Sequence, residues 1–232
     1  MAERTGEIEA IRPGAALSFS DLSGRYVWER TDSTGDVTGA VIDRIRLLDE
    51  GTVLERSQRF EQADGSWLFS MTAWLDAQTL APRRVHITAP SGVIGRVEFD
   101  GLEVETAYLQ PWGREMAHHV ERLDAPAFEW VTSGGLITAL AMVGRESPVR
   151  LATVVTGPGT SLGLVTNTVE VRREEDPVDV RASDGTRWQA RRAIGPSLEL
   201  WVRDEAPYLV RTDTGANRYV LRSFEPEAGE TR

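Results

Sequence analysis

The sequence predicts a mainly β protein, an antiparallel meander with one short helix near its middle. Three observations carry this reading. Apolar and charged residues alternate with a period of two, turn dipeptides recur at short intervals, and one segment breaks the pattern with helical spacing.

The alternation is clearest where Val97–Glu98–Phe99 and Leu102–Glu103–Val104–Glu105 flank Asp100–Gly101, a hairpin signature. Val169–Glu170–Val171–Arg172, Val178–Asp179–Val180–Arg181 and Leu198–Glu199–Leu200 repeat it. A strand reads this way when one face is buried and the other is wet. Further turns are expected at Asp64–Gly65, Ser91–Gly92, Asp184–Gly185 and Thr214–Gly215, which leaves room for about a dozen strands.

The exception spans residues 133–143. Ser133 is placed to cap a helix whose apolar positions, Leu136, Ile137, Leu140 and Val143, follow helical spacing, and Gly144 stops it. Gly134 and Gly135 weaken its first turn. Such a helix would lay its apolar side on the sheet and join two β halves, about 17–124 and 145–224, within a single domain spanning 1–232. The halves share a pattern: Asp64–Gly65–Ser66, Trp74–Leu75 and Pro82–Val85 in the first, Asp184–Gly185–Thr186, Trp201–Val202 and Pro207–Val210 in the second. The interval from turn to Trp differs between them, so an exact repeat is ruled out. Residues 225–232 are polar and read as a tail.

Composition removes whole chemistries. The chain has no cysteine, which excludes thiol nucleophiles, disulfides, iron–sulfur clusters and cysteine-bound zinc. All 26 basic residues are arginine, so Schiff-base and pyridoxal phosphate chemistry have no lysine to use, and a Walker-type loop has no cation. A net charge of −10 opposes binding to nucleic acid and to anionic membrane surfaces. No apolar run is long enough to span a membrane, and residues 1–16 lack the apolar core of a signal peptide, so a cytoplasmic location is expected. No metal and no cofactor is expected.

Candidate site residues follow from what remains. The chain has three histidines. In a strand through residues 116–121, His118 shares its face with Met116 and Val120, the more apolar side, and is the candidate general base. Its neighbour His119 points the other way, beside carboxylates, so the two cannot chelate one metal together. Seven tryptophans suit either core packing or an aromatic-lined cavity. Trp67, Trp74, Trp112, Trp130 and Tyr108 are the candidate ligand-binding aromatics, and Arg96 a candidate partner for a carboxylate.

The stretch from Phe128 to Phe224, with its short helix, its run of strands, the Asp184–Gly185–Thr186 turn and the ending Trp201–Val202 … Pro207–Tyr208–Leu209–Val210–Arg211, resembles a family of uncharacterised bacterial β-rich proteins. These resemble the half-open, curved-sheet fold of the periplasmic carriers of bacterial lipoproteins and of an enzyme of the violacein pathway. The resemblance implies a curved sheet or half-open barrel with the helix packed on it, and either a cavity for acyl chains or a cofactor-free rearrangement of an aromatic intermediate. The first expectation for function is therefore binding of a small apolar or aromatic molecule in a β-sheet cavity. The alternative is a cofactor-independent cyclase, isomerase or lyase of specialised metabolism, with His118, a tyrosine or a buried acid moving protons. A third is an interaction protein that forms a homodimer through exposed sheet edges.

Overall fold

A computed structural model describes residues 20–92, 94–110, 114–123, 128–129, 135–143, 149–154, 166–195 and 198–227. Eight strands make up the first half: β1 (Gly24–Thr31), β2 (Val37–Leu48), β3 (Val53–Gln62), β4 (Trp67–Asp76), β5 (Pro82–Thr88), β6 (Ile94–Asp100), β7 (Glu103–Leu109) and β8 (Glu115–Arg122). Then come β9 (Phe128–Glu129) and a helix of eight residues, α1 (Gly135–Met142). The second half holds β10 (Val149–Val154), β11 (Thr166–Arg181), β12 (Arg187–Gly195), β13 (Leu198–Val202), β14 (Leu209–Asp213) and β15 (Arg218–Pro226).

Among the described residues the fifteen strands form one sheet, ordered β8-β7-β6-β5-β4-β3-β2-β1-β15-β14-β13-β12-β11-β10-β9. Each half is a meander, because neighbours in sequence can pair through short turns. The halves meet where β1 pairs antiparallel with β15, Tyr26 opposite Phe224 and Trp28 opposite Leu221. The short β9 lies parallel to β10. Two-residue turns such as Gly101–Leu102 suit the twist of the flanking strands, and Gly101 supplies the positive φ, +60°, that side-chain-bearing residues avoid.

The sheet folds back on itself. β9 stands eleven places from β5 along the strand order, yet the two are in contact. In a flat sheet they would be about 50 Å apart. The C-terminal part of β1 is consequently buried on both faces. Tyr26 and Trp28 of β1 are 3% and 5% exposed on one face, and Glu29 and Thr31, on the other, are each 6% exposed. Glu29 accepts the backbone N–H (3.2 Å) and the hydroxyl of Ser183, at the tip of the β11–β12 hairpin. The same hairpin is tied to β15 by Trp188, whose indole N–H donates to the Leu221 carbonyl at 2.7 Å, and by an Arg222–Asp184 pair at 3.0 Å.

One apolar cluster runs through both halves. In α1 and just after it, Leu136, Ala139, Leu140, Met142 and Val143 are buried, and the helix packs on β10, β13 and β14. Ser133 and Gly144, the expected cap and stop, lie outside the described residues. Among the described residues no helix is long and apolar enough to cross a membrane.

Two expectations change. Trp74 lies on the strand that begins at its Asp–Gly turn, whereas Trp201 lies one strand beyond its own, so the unequal intervals reflect an extra strand in the second half. The stretch read as a tail from residue 225 begins inside β15, because Glu225 and Pro226 pair with Arg25 and Gly24.

Candidate functional site: the inner face of the sheet

Register fixes which side chains share the core-facing, or inner, face. One row crosses nine strands: Phe224, Tyr26, Asp43, Gln58, Met71, Ile87, Gly95, Tyr108 and Ala117. A second row carries Ile45, Arg56, Ala73, Val85, Val97, Thr106 and His119. The rows differ in cover from end to end.

At the β1–β4 end the face is sealed, and it encloses charge. Asp43 is 1% exposed and Arg56 6%. The Arg56 guanidinium donates through Nε (3.0 Å) and one Nη (2.6 Å) to the same Asp43 carboxylate oxygen, with a further Nε contact of 3.2 Å to the other. Fork-to-carboxylate geometry of this kind offsets part of the cost of removing two charges from water. Beside them Tyr26 donates its hydroxyl to the Leu22 carbonyl at 2.7 Å. Burial, then the Asp43 charge, pushes the Tyr26 phenol far above its ordinary pKa, and Tyr208 of the second half adds in the same direction. This phenol stays protonated and acts as a fixed donor.

At the β6–β8 end the same face is only partly covered. Phe99, Tyr108 and Ala117 are half-buried there, with His119 and Glu121 beyond them on the edge strand. The Tyr108 ring lies over Gly95: a Cβ on Gly95 would sit 3.3 Å from Tyr108 Cε1. The glycine gives the ring its seat, and partial burial raises the Tyr108 pKa. His119 Nε2 lies 3.5 Å from Glu121, and their side chains are 47% and 39% exposed.

Among the described residues, the expected site residues fall on both faces of the sheet. Tyr108 faces inward. Trp74 lies on the opposite, outer face, where its indole N–H donates to Glu55 at 3.0 Å and its ring meets His86 edge-on at 5.1 Å. Burial, then Arg84, lowers the His86 pKa. Arg96 is also on the outer face, paired with Glu105 at 3.0 Å. Trp67 opens β4 beside a bulge, and its buried indole N–H meets no acceptor among the described residues. Trp112 and Trp130 lie outside the described residues.

His118 requires a correction. Its face, apolar in sequence, points outward: His118 pairs with Ala107 on the polar side of β7, lies 3.3 Å from Glu105, and has a side chain 42% exposed. Val120 on that face is 48% exposed. On an edge strand apolar content does not decide the inward side; pairing with β7 does, and it turns His119 and Glu121 inward.

The Asp43–Arg56 pair escaped the sequence reading, although a signal existed. Asp43 is in phase with Val41 and Ile45, and Arg56 with Leu54 and Phe60, so each charge occupies a core position of an alternating strand. Elsewhere, a cleft of about 380 Å³ opens among the β1–β2, β12–β13 and β14–β15 turns. Its acids are already engaged: Glu199 with Arg192 at 2.7 Å, Asp213 with Arg218 at 3.3 Å, and Asp32 with the backbone of its own turn. Among the described residues no three His, Asp or Glu side chains are grouped to hold a metal ion.

No family model matches the chain. The curated proteins give no match either. Solved structures do. The fold is that of a β-barrel-like protein of a domain of unknown function, DUF1849, from Brucella abortus, with a TM-score of 0.51 and 9% identity over 89% of this chain and 98% of that one. The chain has the architecture of an uncharacterised bacterial β-rich family. Two others align less closely, each at 9% identity. A candidate lipoprotein from Parabacteroides distasonis gives a TM-score of 0.36 over 88% of this chain and 96% of that one, and a candidate exported protein with a YmcC-like fold from Bacteroides fragilis gives 0.34 over 94% and 100%. None of the three is a violacein-pathway enzyme.

Proposed function

We propose that the protein binds a small apolar or aromatic molecule in the concavity of a half-open curved sheet, at the β6–β8 end of its inner face. One observation carries the reading: the inner face changes from sealed to partly open along a single row, whose open end presents Tyr108, seated over Gly95, and Ala117. Ligand sites are typically concave and mostly apolar, with a few oriented polar groups. Burial raises the pKa of the inward phenols of Tyr26 and Tyr108, so both serve as hydrogen-bond donors on this face rather than as bases.

Titration with N-phenyl-1-naphthylamine, an uncharged probe that brightens in apolar surroundings, tests this. Saturable one-site binding is expected. Tyr108→Ala, which removes the aromatic wall, and Gly95→Val, which unseats it, should each weaken binding roughly tenfold, the worth of a well-placed aromatic contact. Absence of saturable binding, or two folded variants that bind like the parent, overturns the proposal.

A further inference from the structure

We propose that the cleft among the β1–β2, β12–β13 and β14–β15 turns is a second binding site, built on other strands than the β6–β8 end, and that its ligand is a neutral saccharide of two rings. The site has space. The cleft offers about 380 Å³, within the roughly 300–1,000 Å³ of small-molecule sites. Register sets three of its lining residues in one row, with Glu199 of β13 opposite Asp213 of β14, and Asp213 opposite Arg218 of β15. All three side chains reach solvent, being 35%, 20% and 42% exposed. Three adjacent strands span roughly 10 Å, the length of two linked sugar rings. Asp32 and Ser33 of the β1–β2 turn and Asn217 of the β14–β15 turn also line the cleft.

These groups offer both donors and acceptors, and their charges balance. Arg192 holds Glu199 through Nε (3.1 Å) and one Nη (2.7 Å), and Arg211 holds Asp213 through Nε (2.9 Å) and one Nη (2.5 Å). Each fork fixes its carboxylate in place and leaves lone pairs on the oxygens for further donors. Arg218 uses only Nε on Asp213, at 3.3 Å. Among the described residues its Nη groups and the Asn217 side-chain amide have no hydrogen-bond partner. Asp32 holds its own turn through Oδ1, which accepts the N–H groups of Thr34, Gly35 and Asp36, and Oδ2 is left for a ligand. The carboxylates of Asp32, Glu199 and Asp213 are thus matched by the guanidiniums of Arg192, Arg211 and Arg218. A charged ligand would give up its hydration here without meeting a net opposite charge. Ring hydroxyls carry no charge, and they can donate to the three carboxylates while accepting from Arg218 and Asn217.

Calorimetric titration of the full chain with four neutral disaccharides (maltose, cellobiose, lactose and trehalose) tests this. In about 0.15 M salt, fields from charges beyond about 8 Å are largely screened, so the local balance decides. At least one sugar should saturate with a Kd of millimolar order or tighter, the scale of a few hydrogen bonds from charged groups. Asn217→Ala removes the amide but keeps the backbone carbonyl that accepts the Thr214 N–H (2.9 Å) and hydroxyl (3.1 Å), so the turn is spared. This variant and Arg218→Gln should each weaken the sugar roughly tenfold. Tyr108→Ala, on β7, should leave sugar binding unchanged. The 2-amino and uronic-acid forms of the tightest binder should both bind more weakly than the neutral sugar. Three results overturn the proposal: no disaccharide saturates below about 50 mM, both folded cleft variants bind like the parent, or a charged form binds tighter than the neutral one. Loss of sugar binding in Tyr108→Ala would overturn it too, by moving the sugar to the β6–β8 end.

Discussion

At the β1–β5 end of the inner face Leu54, Ala73, Leu75 and Val85 are all 0% exposed, whereas at the β6–β8 end Phe99, Tyr108 and Ala117 keep some contact with solvent. The strands at both ends have the same alternating composition. Their neighbours differ. The β1–β5 region faces the second half of the chain, whose Tyr208 acts on Tyr26, and β9 reaches across to β5. Cover on one side of a curved sheet thus comes from what the sheet folds back onto, not from the strands' own sequences. The sealed end encloses an internal ion pair; the open end leaves part of its aromatic surface in contact with solvent.

The largest expected effect tests how fully the first end is sealed. Arg56→Met leaves the Asp43 carboxylate buried without its guanidinium and should cost about 3–5 kcal/mol in urea unfolding. The double variant Asp43→Leu/Arg56→Met should recover most of that loss, since an apolar pair of similar volume often matches or exceeds a buried ion pair. A single variant that unfolds like the parent would mean that water reaches the pair, and the contrast between the ends would collapse.

A matched pair of truncations sharpens the contrast further. Leu75→Ala at the sealed end should cost about 2–5 kcal/mol, because a residue with 0% exposure leaves a cavity. Phe99→Ala removes more atoms from the open end, yet it should cost less than Leu75→Ala, since Phe99 is only partly buried whereas Leu75 is 0% exposed. The reverse order, read from the same denaturation curves, would show that the β6–β8 end is as well covered as the rest.

These differences also mark what was legible in the sequence. Alternation at Val97–Phe99 and at Leu102–Glu105 located a hairpin, because period two is a local property of each strand. The meander order within each half follows from sequence neighbours, whereas the β1–β15 closure depends on pairs almost two hundred residues apart, which no local pattern encodes. The same limit explains the site. Tyr108 faces inward, but the residues of an edge strand alone favour His118 over His119, and only the pairing with β7 shows which of the two faces inward. Trp74 and Arg96 fall on the outer face for a related reason: a tryptophan can hydrogen-bond Glu55 and cover a polar sheet as readily as line a cavity. The in-phase charges Asp43 and Arg56 were visible as exceptions, and only their pairing across β2 and β3 makes them a unit.

The smallest effect lies at the rim of the sealed end, in the β4–β5 turn. Asp76 accepts the N–H groups of Gln78 (3.0 Å) and Thr79 (2.9 Å), the Thr79 hydroxyl and the Arg83 guanidinium at 2.7 Å. Partial burial works against its charge, but these donors outweigh it and lower its pKa from 3.8 to about 2. The folded state therefore prefers the ionised form more than the unfolded chain does. That preference stabilises the protein fully above about pH 4 and is lost as pH falls toward 2. Asp76→Asn should lower stability modestly at neutral pH and flatten the part of the pH–stability curve between about 4 and 2 that this carboxylate controls. Leu75, Ala77 and Leu80 are buried around the turn, so loosening it should expose that margin of the core without touching Phe99 or Tyr108. Unchanged acid sensitivity in Asp76→Asn would place the turn outside the sealed region and move its boundary back to the Asp43–Arg56 pair.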